Sequence, residues 1–348
     1  MLTFQRAGVV VGAVAFALGV SACSTVASGD SADEVADAPA DALVVYNAQH
    51  EQLTEEWVAG FTEETGIEVV LRNGSDSELG NQLVEEGDRS RADVFLTENS
   101  PAMSLVENAG LLAELDPATL ELVPEQYRPS TRLWTGIAAR STVFVYNPDL
   151  LTEAELPGSL LDLADPSWTG RWGAAPGGAD FQAIVSAMLA LEGTDATAAW
   201  LAGMESNAEI YQNNIATLKA VNSGEVPGGV IYHYYWFRDQ DGTKEQSGNT
   251  ALHYFKEQDP GAFVSVSGAG VLASSENQEE AEQFVAFLTG PEGQQILGDG
   301  YSFEYPVATG TAANPALPPL ASLQAPVVDA STLNSVEVTD LMTEAGLI

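Results

Sequence analysis

The sequence predicts an α/β protein of two lobes, and three features of its organisation carry that prediction. Strand-like apolar runs alternate with helical patterns from residue 43 to 109, a β-α-β-α-β rhythm that argues for a doubly wound sheet. A second alternation starts near Val143. The body left after a leader and a tether is about three hundred residues, too many for one ordinary hydrophobic core.

The leader is legible at the first residues. A basic start ends at Arg6, an apolar run covers 7–20, and small residues precede Cys23. That run is too short to span a bilayer as a helix, so 1–22 reads as a secretory signal. Val20-Ser21-Ala22-Cys23 resembles the bacterial lipobox, which implies lipidation of Cys23 and an anchor on the outer face of the cytoplasmic membrane or in the periplasm. Cys23 is the only cysteine, which excludes a disulfide within the chain. Residues 23–40 are rich in Ser, Ala, Asp and Pro without periodicity and read as a flexible tether.

Fifty acidic residues against twelve basic ones give a formal charge of −38. Phosphate backbones are bound by clusters of Lys and Arg, so nucleic acid is excluded as a partner. The acid is spread along the whole chain and reads mainly as a solvated surface, with a cation-attracting field as its other consequence.

In chain order, 43–47 is a first buried strand and Ala48-Gln49-His50 leaves its carboxyl end. Leu53, Trp57, Val58 and Phe61 at helical spacing make 51–65 a helix, with Gly66 as its cap. Residues 67–71 return as a strand. Asn73-Gly74-Ser75-Asp76 turns into a helix over 77–86. A third strand at 92–96 ends in Thr97-Glu98-Asn99, and 101–109 fits a short helix. Ligands in such sheets sit beyond strand carboxyl ends, where His50 and Glu98 both fall. Further strands are read at 142–146, 210–211 and within 259–267. Helices are read at 181–191, 196–204, from Asn214 to 222, over 277–289 and over 336–347, with Gly290-Pro291 closing the helix before it. The chain is expected to cross back to the first lobe after about Ser265.

The segment that departs from ordinary packing is Tyr232-His233-Tyr234-Tyr235-Trp236-Phe237. Burial in a core is the usual fate of aromatics. Two adjacent Tyr on a regular strand point to opposite faces, so both phenols can serve one site only if the backbone leaves the strand there. No zincin helix, zinc-spaced Cys/His cluster, nucleophile elbow or Walker loop is present in the sequence. The remaining constellation is the His50 imidazole and Glu98 carboxylate from one lobe and the Tyr234 and Tyr235 phenols from the other. Phenols ionise only near pH 10, but a highly charged cation can remove that proton. Hard ions prefer oxygen donors, and Fe³⁺ is the ion best matched to phenolate. Glu98 and two tyrosinates would neutralise it, and an octahedral shell would need two more donors from water or a small anion. Donors on two lobes let binding close the cleft.

At this point the chain resembles a known family, the bacterial ferric-ion-binding proteins that feed iron ABC transporters. The resemblance rests on Val45-Tyr-Asn-Ala-Gln-His50, Glu85-Glu-Gly-Asp88, Ala92-Asp-Val-Phe-Leu-Thr-Glu98 and Ala109-Gly-Leu-Leu112. It continues in Ala220-Val-Asn-Ser-Gly-Glu-Val-Pro227, Tyr234-Tyr-Trp236, Gln258-Asp-Pro-Gly-Ala262, Glu304-Tyr-Pro306 and Ala325-Pro-Val-Val328. It covers residue 43 to the C-terminus. It implies a periplasmic-binding-protein type II fold with a two-segment hinge, an N-lobe of 41–141 and 266–317, and a C-lobe of 142–265 and 318–348. It also implies His50, Glu98, Tyr234 and Tyr235 as iron ligands, Fe³⁺ as the transported ligand, an inner-membrane ABC permease and its ATPase as partners, a monomer, and no enzymatic activity.

The family's anion pocket is altered. Its Ser/Thr-rich loop reads Gly177-Gly178-Ala179-Asp180, its Asn is kept as Asn214, and its Arg-Ser-Arg segment reads Arg140-Ser141-Thr142. A carboxylate at Asp180 repels phosphate, so iron bound without phosphate is expected, with water, carbonate or Asp180 itself as donor. The other role open to Asp180 is to cap its helix. His233 is expected to be a packing neighbour and His253 a structural or surface residue. A receptor of the same fold for a polyamine, an oxyanion or another metal chelate is the main alternative. A metal-dependent hydrolase is a further one, and it lacks a visible second catalytic carboxylate.

Overall fold

The computed structural model describes residues 38, 39 and 42–348. The leader, Cys23 and all but two residues of the tether lie outside the described residues. Among the described residues no helix is long and apolar enough to cross a membrane.

The elements follow the sequence pattern closely at first. Strand β1 (Leu43–Asn47) leads to helix α1 (Glu51–Thr65), β2 (Val69–Asn73), α2 (Asp76–Glu86), β3 (Val94–Leu96) and α3 (Ser100–Asn108). Gly66 ends α1 in the left-handed conformation, φ 77°, and its N–H caps Thr62 O. A short helix α4 (Pro117–Glu121) precedes the long strand β4 (Thr135–Tyr146). There follow β5 (Trp172–Ala174), α5 (Ala179–Glu192), α6 (Thr194–Asn207), β6 (Ala208–Ile210), α7 (Asn214–Ser223), β7 (Gly228–Tyr232) and α8 (His233–Asp241). The chain continues through β8 (Ala251–His253), β9 (Val264–Val271), α9 (Gln278–Thr289) and α10 (Pro291–Asp299), and α11 (Ser335–Glu344) is the last helix.

The strands hydrogen-bond in the order β2-β1-β3-β9-β4-β7-β5-β6, with β8 also on β4. β2-β1-β3 and β7-β5-β6 are parallel half-sheets, and β9 and β4 run antiparallel between them. β4 changes partner along its length. Residues from Thr135 to Ser141 pair with β9, and Thr142 to Tyr146 pair with β7. One strand therefore passes from one half to the other.

Each half has apolar layers on both faces of its strands. On β1, Leu43 and Val45 join Trp57, Phe61 and Phe284, whereas Val44 and Tyr46 join Leu79, Phe95 and Met103. On β4, Phe144 and Tyr146 face Trp172 and Val230, whereas Val143 and Val145 face Leu218 and Ile231. This is the two-residue alternation of a pleated strand buried on both sides.

Three differences from the sequence reading have physical causes. β2 sits two residues later than expected, because Asn47 pairs with Asn73 at the end of the register. β4 starts seven residues earlier, through Gly136, where a Cβ would collide with Tyr127 O and Val266, and a bulge follows. Pro291 does not merely close α9. It opens α10 as a first-turn proline after Gly290, and Trp57 Nε1 donates to Gly293 O at 2.7 Å to dock that helix.

Candidate metal centre

The Tyr pair sits where strand gives way to helix. β7 ends at Tyr232 and α8 begins at His233, so the backbone does leave the strand at the pair. Consecutive helical residues lie 100° apart rather than on opposite faces. Both rings therefore turn to one side, stacked with centroids 4.2 Å apart. Tyr234 is fully buried.

His50 precedes α1 at its N-cap position but makes no side-chain cap, which leaves its imidazole free for the cleft. His50 lies edge-on to Tyr234 at 5.1 Å. Its Nε2 is buried without a hydrogen-bond partner, 3.8 Å from Glu98 Oε1 and 3.9 Å from Glu304 Oε2. Glu98 stands just beyond the carboxyl end of β3. It accepts from Tyr234 OH at 2.8 Å.

Asp180 is the centre of the hydrogen bonding. It lies in the first turn of α5, whose N-cap is Gly178, with no side-chain cap bond. The helix-cap role is thus taken by the Gly178 backbone, and Asp180 instead faces the phenols. It accepts from Tyr235 OH at 3.0 Å, Tyr234 OH at 3.4 Å, Asn214 Nδ2 at 2.8 Å and Asn99 Nδ2 at 3.0 Å. Gly178 and Ala179 offer no polar side chain.

Arg140 is completely buried and serves a different edge of the site. Its Nη1 lies 3.1 Å from Glu98 Oε1, and its Nη2 pairs closely with Glu304 Oε1 and donates to Ser267 Oγ at 2.7 Å. The rings of Tyr232 and Tyr234 lie under the guanidinium at 6.0 and 5.6 Å.

The electrostatics follow from burying several acids together. Burial, then Glu98, pushes the Asp180 carboxyl up to about 7. Burial, then Asp180 and Glu98, holds the Tyr234 and Tyr235 phenols well above their ordinary range. Burial alone would lower Arg140, but Glu304 and Glu98 overcome it and hold its guanidinium firmly protonated. Among the described residues no group of three or more His, Cys, Asp and Glu is arranged to hold a metal ion. The oxygen donors that meet in this cleft include both phenols, which contact Glu98 and Asp180.

His233 and His253 do not face these groups. His233 accepts from the Ser141 N–H at 3.1 Å and lies 2.8 Å from Phe303 O, and burial lowers its pKa to about 3. His253 Nε2 contacts Pro157 O at 3.0 Å.

The comparisons with known proteins place this architecture. The family model described as bacterial extracellular solute-binding protein matches residues 90–331. The chain belongs to that family. It is 62% identical over 306 residues to the Fe(3+)-binding periplasmic protein of Serratia marcescens, covering 88% of this chain and 90% of the relative. It is 37% identical over 308 residues to the major ferric iron-binding protein of Neisseria meningitidis, covering 88% and 93%. Among solved structures, iron-bound HitA from Pseudomonas aeruginosa superposes with a TM-score of 0.81 at 44% identity, covering 88% of this chain and 99% of that one. The two-lobed periplasmic-binding-protein fold is therefore shared with proteins named for ferric iron.

Three residues around the centre are not among the residues the sequence assigns to the site. Asn99 immediately follows Glu98, Asp76 ends a turn, and Glu304 opens the Glu-Tyr-Pro segment. Only their placement brings them to one spot. Adjacency to Glu98 is the one signal that could have singled out Asn99.

Proposed function

We propose that this protein binds Fe³⁺ in the cleft between its lobes and delivers it to an ABC importer. One observation carries the reading. Two stacked phenols, an unpartnered imidazole nitrogen and two carboxylates converge there from both halves of the fold. His50, Glu98, Tyr234 and Tyr235 are the proposed ligands. Phenolate and carboxylate oxygens suit a hard trivalent cation, and their charges offset it.

Asp180 is proposed as a fifth ligand. Asn99 and Asn214 cradle its carboxylate beside the phenols, so it occupies the position an exogenous anion would take. Phosphate is accordingly not required, and water or carbonate completes the shell. Arg140 stays with Glu304 and Glu98 and does not serve an incoming anion. Similarity to the named ferric-binding relatives supports the ion chosen.

The rest of the account follows from that role. The lobes are 41–141 with 266–317 and 142–265 with 318–348, hinged where β4 and β9 pass between them. Cys23 anchors an exported monomer to the membrane, and an inner-membrane permease with its ATPase receives the iron.

The test is spectroscopic. Fe³⁺ added to the metal-free protein in phosphate-free buffer gives a visible tyrosinate charge-transfer band. Tyr234→Phe combined with Tyr235→Phe abolishes the band and the tight binding. Persistent colour and affinity in the double variant would refute the site.

A further inference from the structure

The carboxamide of Asn99 joins the two lobes at one buried point, and the ligand set does not account for it. Asn99 is 1% exposed. Its Nδ2 donates across the cleft to Asp180 Oδ1 at 3.0 Å and on its own side to Asp76 Oδ2 at 3.2 Å. Its Oδ1 accepts from Ser265 Oγ at 2.9 Å. A carboxamide has two N–H bonds and one strong acceptor oxygen, and all are engaged.

Asp76 braces the same point from the first lobe. It is a buried carboxylate that opens α2. Its oxygens accept the backbone N–H of Glu98 and of Asn99, both at 2.9 Å. The backbone that presents Glu98 is thereby fixed to the residue that reaches for Asp180.

Besides the Ser265 bond at the lobe boundary, two hydrogen bonds between these groups cross the cleft, and metal binding treats them differently. One is Tyr234 OH to Glu98. A phenol that ligates a metal gives up its proton, so that bond is lost on loading. The other is Asn99 to Asp180 Oδ1. It uses only Oδ1, whereas Tyr235 and Tyr234, whose phenol protons leave on loading, and Asn214 all donate to Oδ2. A metal can take Oδ2 while Asn99 keeps Oδ1.

We propose that Asn99, braced by Asp76, is the latch that holds the lobes closed over the loaded ion. It is a positioning residue: it turns Asp180 Oδ2 toward the metal and survives as a direct interlobe bond when the Tyr234–Glu98 bond does not. The proposal rests on the ferric-site reading above.

The test uses the whole chain loaded from ferric citrate, with release to excess EDTA followed by decay of the tyrosinate band. Asn99→Ala keeps the band position, because no ligand is removed. It releases iron about tenfold faster or more, the scale set by losing one buried hydrogen bond to a charged group. Asn99→Asp, which sets a third carboxylate against Asp76 and Asp180, releases faster still. Asn99→Ser gives the same direction as Asn99→Ala should the alanine variant fail to fold. Small-angle scattering of the loaded variants shows a larger radius of gyration than wild type. Release within twofold of wild type in the folded variants, or a shifted band with unchanged release, overturns the latch. Failure of the wild type to develop a band at all instead overturns the ferric reading.

Discussion

Removing the Asp180 carboxylate separates the two functions it serves. In Asp180→Ala the metal loses a unit negative charge from its surroundings. At about 4 Å and an effective dielectric near 20, one pair of unit charges is worth ~4 kcal/mol, about a thousandfold in affinity. The metal-free protein responds differently. Burial and Glu98 raise this carboxyl from 3.8 to about 7, so holding it ionised costs on the order of 4 kcal/mol above pH 7. The cost is absent below pH 4, grows as pH rises to about 7, and is constant beyond. The alanine variant removes that cost but leaves the Asn99 and Asn214 amides without their acceptor, about 1–3 kcal/mol each. The two nearly cancel, so metal-free stability at neutral pH changes little while affinity collapses. The emptied corner also presents two amide donors where an anion can sit. Phosphate then restores part of the affinity in the variant and does nothing for the wild type. Competition titrations against citrate, with and without phosphate, read both effects. Wild-type affinity in Asp180→Ala, or a phosphate requirement in the unmodified protein, would refute the reasoning.

Other consequences follow from the same geometry. Burial, with Asp180 and Glu98, keeps the Tyr234 and Tyr235 phenols protonated in the metal-free protein at neutral pH. Loading therefore releases two protons, and above pH 7 apparent affinity rises roughly a hundredfold per pH unit, a slope that proton-release measurements against a ferric chelate will check. Below about pH 7 Asp180 adds a third proton and the slope steepens. Arg140→Leu strands the fully buried Glu304 without its partner. It should cost about 3–5 kcal/mol of stability by denaturant titration, whether or not iron is present. A loss below 1 kcal/mol would mean that Glu304 finds another partner or takes up a proton at little cost.

Much of the fold was legible because its strands are short, apolar and separated by amphipathic helices. Residues 43–109 could be read almost element by element. What escaped was long-range. Thr135–Ser141 carries Gly136, Arg140 and small residues, so nothing local marks it as a strand, and pairing with β9 decides it. Pro291 reads equally as an end or a beginning, and the docking of α10 on Trp57 selects the latter. At the site, chemistry, position and the family resemblance singled out His50, Glu98 and the Tyr pair, and the fold brings these four side chains together. The strand-to-helix break at His233 explains how adjacent Tyr can share a pocket. The sequence leaves Asp180 open between cap and ligand, because both roles place an acid at a helix start; the fold gives it no cap bond and sets it against both phenols. Asn99, Asp76 and Glu304 were invisible as a set, since their meaning lies in contacts between segments far apart in sequence.

The central claim is that one ferric ion is held by His50, Glu98, Tyr234 and Tyr235, with Asp180 in place of an external anion. Anomalous diffraction at the iron edge, from crystals of iron-loaded protein grown without phosphate, tests it most directly. The account predicts a single strong peak in the cleft, bonded to His50 Nε2, a Glu98 oxygen, both phenolate oxygens and Asp180 Oδ2. A peak that leaves either tyrosine unligated, or one bridged to the protein by a bound phosphate with Asp180 turned away, would contradict it.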